Sequence, residues 1–162
     1  MIDKDTFCEH IRLCENAMYS LAFSVVRNEA DAEEIISESI YRAYSKSDTL
    51  KNEKSFKPWI LRIVHNTAVE MIRKNSKIIP FSEIPDMPCD NAEKDITASL
   101  TLRNAVNGLK QPYRTVVVLF YYENLSVSEI AQITSSNIVA VKQQLSRARK
   151  MLREILKEDF EE

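Results

Sequence analysis

The fold the sequence predicts is all-α: two small helical domains on either side of an extended acidic linker. Three observations carry it. Apolar residues recur at helical spacing over three stretches before residue 76. Three prolines, Pro80, Pro85 and Pro88, then break the pattern, because proline cannot continue a helix. A capped helix, a polar turn and a basic helix close the chain. The 162 residues include one Gly and five Pro, which leaves few places for hairpin turns or phosphate-cradling loops. The expected division is 1–76, a linker 77–92, and 93–162.

Residues 5–27 place Phe7, Ile11, Cys14, Met18, Leu21, Ala22 and Val25 on one face of a helix. Residues 30–46 repeat the pattern with Ala32, Ile35, Ile36, Ser39, Ile40 and Ala43, and Asp31 near the start suits the helix dipole. Residues 48–55 are polar and read as a loop. Residues 56–74 return to helical period with Phe56, Trp59, Ile60, Ile63, Val64, Thr67, Ala68, Met71 and Ile72. Pro58 suits a first turn, with Ser55 as the N-cap. Helix resumes near Ala92 and stops at Gly108 and Pro112. The apolar run 111–124 has strand propensity, yet it follows Pro112 and feeds straight into the next motif, which favours helix.

Ser126-Val127-Ser128-Glu129 has the form of a capping box, opening a short helix to Ile133. Thr134 to Asn137 form a polar turn. A longer helix then runs to about Leu156, with Ile138, Val141, Leu145, Ala148, Leu152 and Ile155 inward. This is helix-turn-helix spacing. Lys142, Gln143, Ser146 and Arg147 fall outward near the start of the second helix, where base edges are met. Gln pairs bidentately with adenine and Arg with guanine. Arg149, Lys150 and Arg153 come later, at phosphate-contact positions.

The net charge of −2 hides strong segregation. Glu29, Asp31, Glu33, Glu34 and Glu38 give residues 29–38 a local −5. Residues 57–77 carry a local +4, residues 78–99 a local −4 and residues 138–157 a local +5. Alternating blocks suggest separate surfaces for separate partners, against the plainer reading of solvated helix faces. Cys8, Cys14 and Cys89 are an odd count at no metal spacing, which suggests a reducing compartment. Cys8, His10 and Cys14 lack a fourth ligand, so no metal is expected. No nucleophile–base pair or glycine-rich phosphate loop is present, and the expectation is a non-enzyme without cofactor or small-molecule substrate. No apolar run approaches bilayer length, and a cytoplasmic, monomeric protein is expected.

The tail Leu109-Lys110-Gln111-Pro112-Tyr113-Arg114, Leu125 to Ala131, Val141-Lys142 and Ser146-Arg147-Ala148-Arg149 resembles region 4 of the sigma-70-type transcription initiation factors. Tyr19-Ser20-Leu21-Ala22, Ala32-Glu33-Glu34-Ile35 and Glu38 resemble the start of sigma region 2. Phe56, Trp59-Ile60, Ile63 and Asn66 with Ile72-Arg73-Lys74 resemble its promoter-melting part. The resemblance covers nearly the whole chain and leaves no room for further regions, so it is to the extracytoplasmic-function (ECF) class.

The resemblance implies roles. Asp31, Glu33, Glu34 and Glu38 would bind the β′ clamp helices of bacterial core RNA polymerase, and a local −5 suits a basic partner surface. The β flap would be a second polymerase contact. Residues 48–55 would capture a base flipped from the −10 element, with Asn66 lining its pocket. Phe56 and Trp59 offer stacking faces, although the spacing from Trp59 to Ile63 favours burial. Lys57, Arg62, Arg73 and Lys74 are candidates for −10 phosphates, and Lys142, Gln143, Ser146, Arg147, Arg149 and Lys150 for −35 duplex. The acidic linker would thread toward the RNA exit path. An anti-sigma factor, often membrane-anchored, is an implied inhibitor. Two departures stand out: Val139-Ala140 where the family has Gly-Thr, and Ser37 where it has Gln. A rival reading keeps the fold but not the promoter: a decoy that only titrates an inhibitor.

Overall fold

A computed structural model describes residues 2–76 and 98–160 of the chain. The linker 77–92, with Pro80, Pro85, Pro88 and Cys89, and the helix start near Ala92 lie outside the described residues. Those residues hold helices and no strand.

Three long helices form an N-terminal bundle: α1 (Lys4–Val26), α2 (Glu29–Ser45) and α3 (Phe56–Ser76). Asp3 caps α1 by accepting the Thr6 amide at 2.8 Å, and Asn28 caps α2 by accepting the Asp31 amide at 2.9 Å. Each cap satisfies one of the amides a helix start leaves without a partner. Between them Arg27 turns left-handed at φ 54° and ends α1. The predicted apolar stripes meet in the middle: Phe7, Met18, Leu21, Ile35, Ala43, Phe56, Ile60 and Val64 are buried. Truncating such a core residue, Ile35→Ala for instance, costs roughly 2–5 kcal/mol. Residues 48–55 are a loop carrying two short 3-10 turns, Ser47–Thr49 and Glu53–Ser55. Here the side chain that receives an amide before α3 is Asn52, from Lys54 at 3.0 Å, so Asn52 rather than Ser55 marks the entry.

The C-terminal half holds α4 (Ala98–Asn107), α5 (Tyr113–Val117), α6 (Val127–Ile133) and α7 (Ile138–Phe160). The apolar run after Pro112 is helical, as its context predicts, but α5 widens into a π turn over Val118–Tyr122. The Glu123 amide reaches back to the Val118 carbonyl at 3.2 Å, enclosing one residue more than an α turn. Along α7, Val141, Leu145 and Ala148 are buried and Leu152 and Ile155 half-buried. Ile138 is exposed instead of inward: it is the first residue of α7 and borders the exposed polar turn Ser135–Asn137.

The two halves share one core. Leu61 of α3 joins Ile130 and Ile133 of α6 in the same buried cluster as Met18 and Ile35. A second row on α3, Leu61, His65 and Val69, is buried on the side that meets α6. A buried polar seam links α1 to α5. Ser24, in the last turn of α1, has a main-chain oxygen that accepts from Arg114 Nε at 2.6 Å and from Gln111 Nε2 at 2.8 Å. Its hydroxyl lies 2.9 Å from that of Thr115. Last-turn carbonyls lack helical partners and sit at the negative end of the helix dipole, so a guanidinium from the other half is well placed there.

Candidate nucleic-acid interface

Of the four acidic residues predicted to form one surface, three share a groove. Asp31, Glu34 and Glu38 line a groove of about 580 Å³ between α2 and α3, with Ser37, Thr67, Glu70 and Lys74. Glu33 is exposed on another face, because two residues turn a helix by about 200°. Its charge is felt by Tyr19, whose hydroxyl is raised by burial first and by Glu29 and Glu33 next. Arg42 sits in the groove. Its guanidinium donates to both carboxylate oxygens of Glu70, at 2.9 and 3.1 Å, and to Glu38 at 2.9 Å. The bonds from Arg42 foremost, with the charges of Arg42, Lys74 and Lys46, hold the Glu70 carboxyl below its usual range. Glu38 is therefore partly neutralised at rest, whereas Asp31 and Glu34 are not held by that clamp.

The candidate −10 residues divide similarly. Asn66, Arg62, Arg73 and Lys74 are exposed on α3. Lys57 is engaged: its ammonium donates to the Glu123 carbonyl at 3.1 Å and stands 4.0 Å from the Glu123 carboxylate, across the seam between the halves. Phe56 is core, 2% exposed, and Trp59 is half-buried. Trp59 Nε1 donates to the Thr49 hydroxyl at 3.3 Å, tying α3 to the polar loop. His10 stacks on Phe56 at 4.9 Å between ring centroids, with its Nε2 3.9 Å from the loop's Glu53. His65 is buried, and burial followed by the charge of Arg73 lowers its pKa to about 4. Neighbouring Asn66 and Arg73 share a groove of about 360 Å³ with Thr134 and Ser135 of the C-terminal half.

The helix-turn-helix forms as its sequence predicts. Ser126 Oγ accepts the Glu129 amide at 3.1 Å, and Glu129 accepts the Ser126 amide at 3.0 Å. After α6 the Ser136 amide donates to the Ala131 carbonyl at 2.9 Å, while Ser135 adopts φ 55°. This is a Schellman stop, built on serine where glycine is usual. Asn137 then caps α7 by accepting the Ala140 amide at 2.8 Å. On α7, Lys142, Gln143, Ser146, Arg147 and Lys150 are exposed on a continuous arc opposite the buried row. Arg149 stands at its edge. It donates to the Tyr121 hydroxyl at 2.5 Å and lies over the rings of Phe120 and Tyr121, 5.8 Å from each centroid. That stacking holds the exposed Arg149 guanidinium against the π turn, a contact its spacing alone did not suggest.

Two features went unread in the sequence. Glu123 is one. The other is an apolar groove of about 500 Å³ lined by Leu102, Val106, Val117, Tyr121, Tyr122 and Leu152. Its only sequence signal was the adjacent pair Tyr121-Tyr122, which the apolar run around it masked.

A capped helix-turn-helix with a polar-basic outer face, joined to a helical bundle with an acidic groove, is the build of a DNA-binding transcription initiation factor. Known proteins agree. The family described as Sigma-70 region 2 matches residues 10–78, and Sigma-70, region 4, matches residues 99–152. RNA polymerase sigma factor SigV of Bacillus subtilis (strain 168) is 36% identical over 143 residues, 88% of this chain and 86% of that one. The ECF RNA polymerase sigma factor SigW of the same organism is 27% identical, over 96% of this chain and 91% of that one. Among solved structures, the sigma factor RpoE bound to the anti-sigma factor NepR from Bartonella quintana shares the fold. Its TM-score is 0.75 at 23% identity, over 96% of this chain and 98% of that one. The chain belongs to the sigma-70 family of RNA polymerase sigma factors, in its ECF class.

Proposed function

We propose that this chain joins core RNA polymerase and carries it to promoters by reading −35 duplex with α7 and melted −10 DNA with α3. The observation that carries the reading is the exposed arc of α7, Lys142, Gln143, Ser146, Arg147 and Lys150, held at a fixed angle by a capped α6. Gln143 and Arg147 supply base-edge pairing, Lys142 and Lys150 phosphate contacts. Asn66, Arg62, Arg73 and Lys74 face the melted strand, and Lys57 joins them once released from Glu123. The Asp31–Glu34–Glu38 groove takes the basic β′ clamp helices, while the apolar groove beside Tyr121 takes the β flap. Residues 1–76 and 93–162 act as the two arms.

The chain contributes recognition, not catalysis. Among the described residues no helix is long and apolar enough to cross a membrane, and no group of His, Cys, Asp and Glu could hold a metal. The working place is the cytoplasm, where an anti-sigma factor, membrane-anchored in many relatives of this class, holds the chain idle. RpoE and CnrH, which share the fold, were each solved in complex with a second chain, the anti-sigma factor NepR and the cytosolic domain of CnrY.

The test is in vitro transcription with bacterial core polymerase on genomic fragments, followed by start mapping. Starts sharing two sequence elements at fixed spacing are expected, and a Gln143→Ala chain should relax the upstream element only. Core polymerase that gains no promoter-dependent transcript sinks the reading in favour of the decoy.

A further inference from the structure

We propose that Tyr121 is a positioning residue for −35 DNA: with Phe120 it holds the Arg149 guanidinium still, its charge uncompensated, for a phosphate beside the arc of α7. The inference rests on the −35 reading above. It adds to that reading two aromatic residues that lie outside the helix-turn-helix.

Two kinds of contact converge on Arg149. Its Nε donates to the Tyr121 hydroxyl at 2.5 Å. Its guanidinium carbon lies over the rings of Phe120 and Tyr121, 5.8 Å from each centroid, within reach of cation–π attraction. The two rings meet edge to face with centroids 5.0 Å apart, so they make one platform rather than two loose side chains. Both belong to the π turn Val118–Tyr122. Such turns recur at functional sites in helices, and here the turn carries the platform to a residue 28 positions further along the chain. Tyr121 is 45% exposed, so the contact is made at the surface, not in the core.

What holds Arg149 is uncharged. A carboxylate that fixes a guanidinium also cancels its charge, as Glu38 and Glu70 do for Arg42. A phenol hydroxyl and two ring faces fix Arg149 without cancelling anything. Only Nε is spent on the hydroxyl, which leaves the Nη donors for an acceptor outside the chain. A fixed, fully charged fork of N–H donors suits phosphate oxygens, because little side-chain freedom remains to be lost on binding. The position agrees. Arg149 is exposed at the edge of the arc. It lies about 9 Å along α7 from Gln143, where a helix entering the major groove has left the base edges and meets backbone.

The probe is a fluorescent promoter fragment taken from the mapped starts. It is titrated, at several salt concentrations, with core polymerase saturated by the full chain. Tyr121→Phe keeps the ring and removes the hydroxyl. We expect it to weaken promoter binding about three- to ten-fold, the range for freeing one long side chain, with the melting temperature of the chain unchanged. Arg149→Ala should weaken binding at least as much. It should also make the slope of log affinity against log salt shallower by about 0.9, the counterion release of one phosphate, whereas Tyr121→Phe keeps the wild-type slope. Arg149→Lys, which keeps the charge but not the flat fork, should keep the slope and lose affinity as Tyr121→Phe does. Adding Tyr121→Phe to the Arg149→Ala chain should change nothing further.

Unchanged binding by Tyr121→Phe overturns the inference. So does full affinity in Arg149→Lys, or an unaltered salt slope in Arg149→Ala. A Tyr121→Phe loss of equal size in the Arg149→Ala chain also overturns it, by tracing the hydroxyl to the apolar groove that Tyr121 lines. Arg147→Ala separates the two ideas. If it weakens binding while Tyr121→Phe does not, the −35 reading stands and the positioning role fails. If neither variant matters, the −35 reading itself fails.

Discussion

The charged residues of α3 and those of α7 have similar composition and opposite circumstances. On α7, Lys142, Gln143, Ser146 and Arg147 project into solvent from a helix anchored by one buried row. On the N-terminal bundle, Arg42 is clamped between Glu38 and Glu70, and Lys57 is tied to Glu123. The difference teaches that charge in a sequence measures capacity for partners, not availability. The polar arc of α7 is available as soon as the helix is folded. On α3, Lys57 must first give up a partner it already has.

The largest expected effect lies in what α3 hides. His65 is buried neutral, with a pKa lowered from 6.5 to about 4. Between those values the unfolded chain binds a proton that the folded chain refuses, so stability is full above 6.5 and falls as pH drops toward 4. The loss should reach about 3 kcal/mol if the full shift is expressed. Thermal melts from pH 7.5 to 4.5, wild type against His65→Leu, would show it, and identical slopes would mean His65 is not the group responsible. Next is the exposed arc. Arg147→Ala should cut promoter-dependent initiation by about 2 kcal/mol, roughly 30-fold, while leaving the melting temperature unchanged. A fall in stability of similar size would show that α7 is not merely displayed.

The cap beneath that arc comes third. Ser126→Ala should destabilise the C-terminal half by about 1 kcal/mol, read as a shift in denaturant midpoint. The smallest effect sharpens the contrast from the other side. Arg42→Ala removes an exposed ion-pair clamp and should cost only about 0.5 kcal/mol of stability, yet it frees Glu38 and Glu70 in the acidic groove. Polymerase affinity, measured by competition with the wild-type chain, should then rise; a drop would assign Arg42 a direct contact.

Much of this was legible beforehand. The stripes Phe7 to Val25, Ala32 to Ala43 and Phe56 to Ile72 gave the bundle, because helical period reports a buried face directly. Ser126 and Glu129 gave the start of α6, because a capping box is a local contract between two side chains. What was not legible depended on the other half of the chain. Leu61, His65 and Val69 form a second buried row only because α6 packs there. Lys57 looked like a phosphate contact because Glu123, which engages it, lies 66 positions away. Glu33 was grouped with Asp31, Glu34 and Glu38 by the family resemblance, whereas helical rotation turns it away from the groove they line. The contact of Arg149, placed by its helix position among the −35 candidates, with the rings of Phe120 and Tyr121 was likewise invisible.

The π turn at Val118–Tyr122 gives the link between the halves an unusual kind of inheritance. One surplus residue in that turn sets the direction in which Glu123 leaves the helix. Deleting a single residue there would restore an α turn and swing everything after it by about 100°, carrying the carboxylate away from Lys57 with every side chain chemically intact. The contact between Lys57 and Glu123 is thus written in chain length as much as in residue type. A relative could gain or lose it through one codon's insertion or deletion, leaving no substitution in either partner to betray the change.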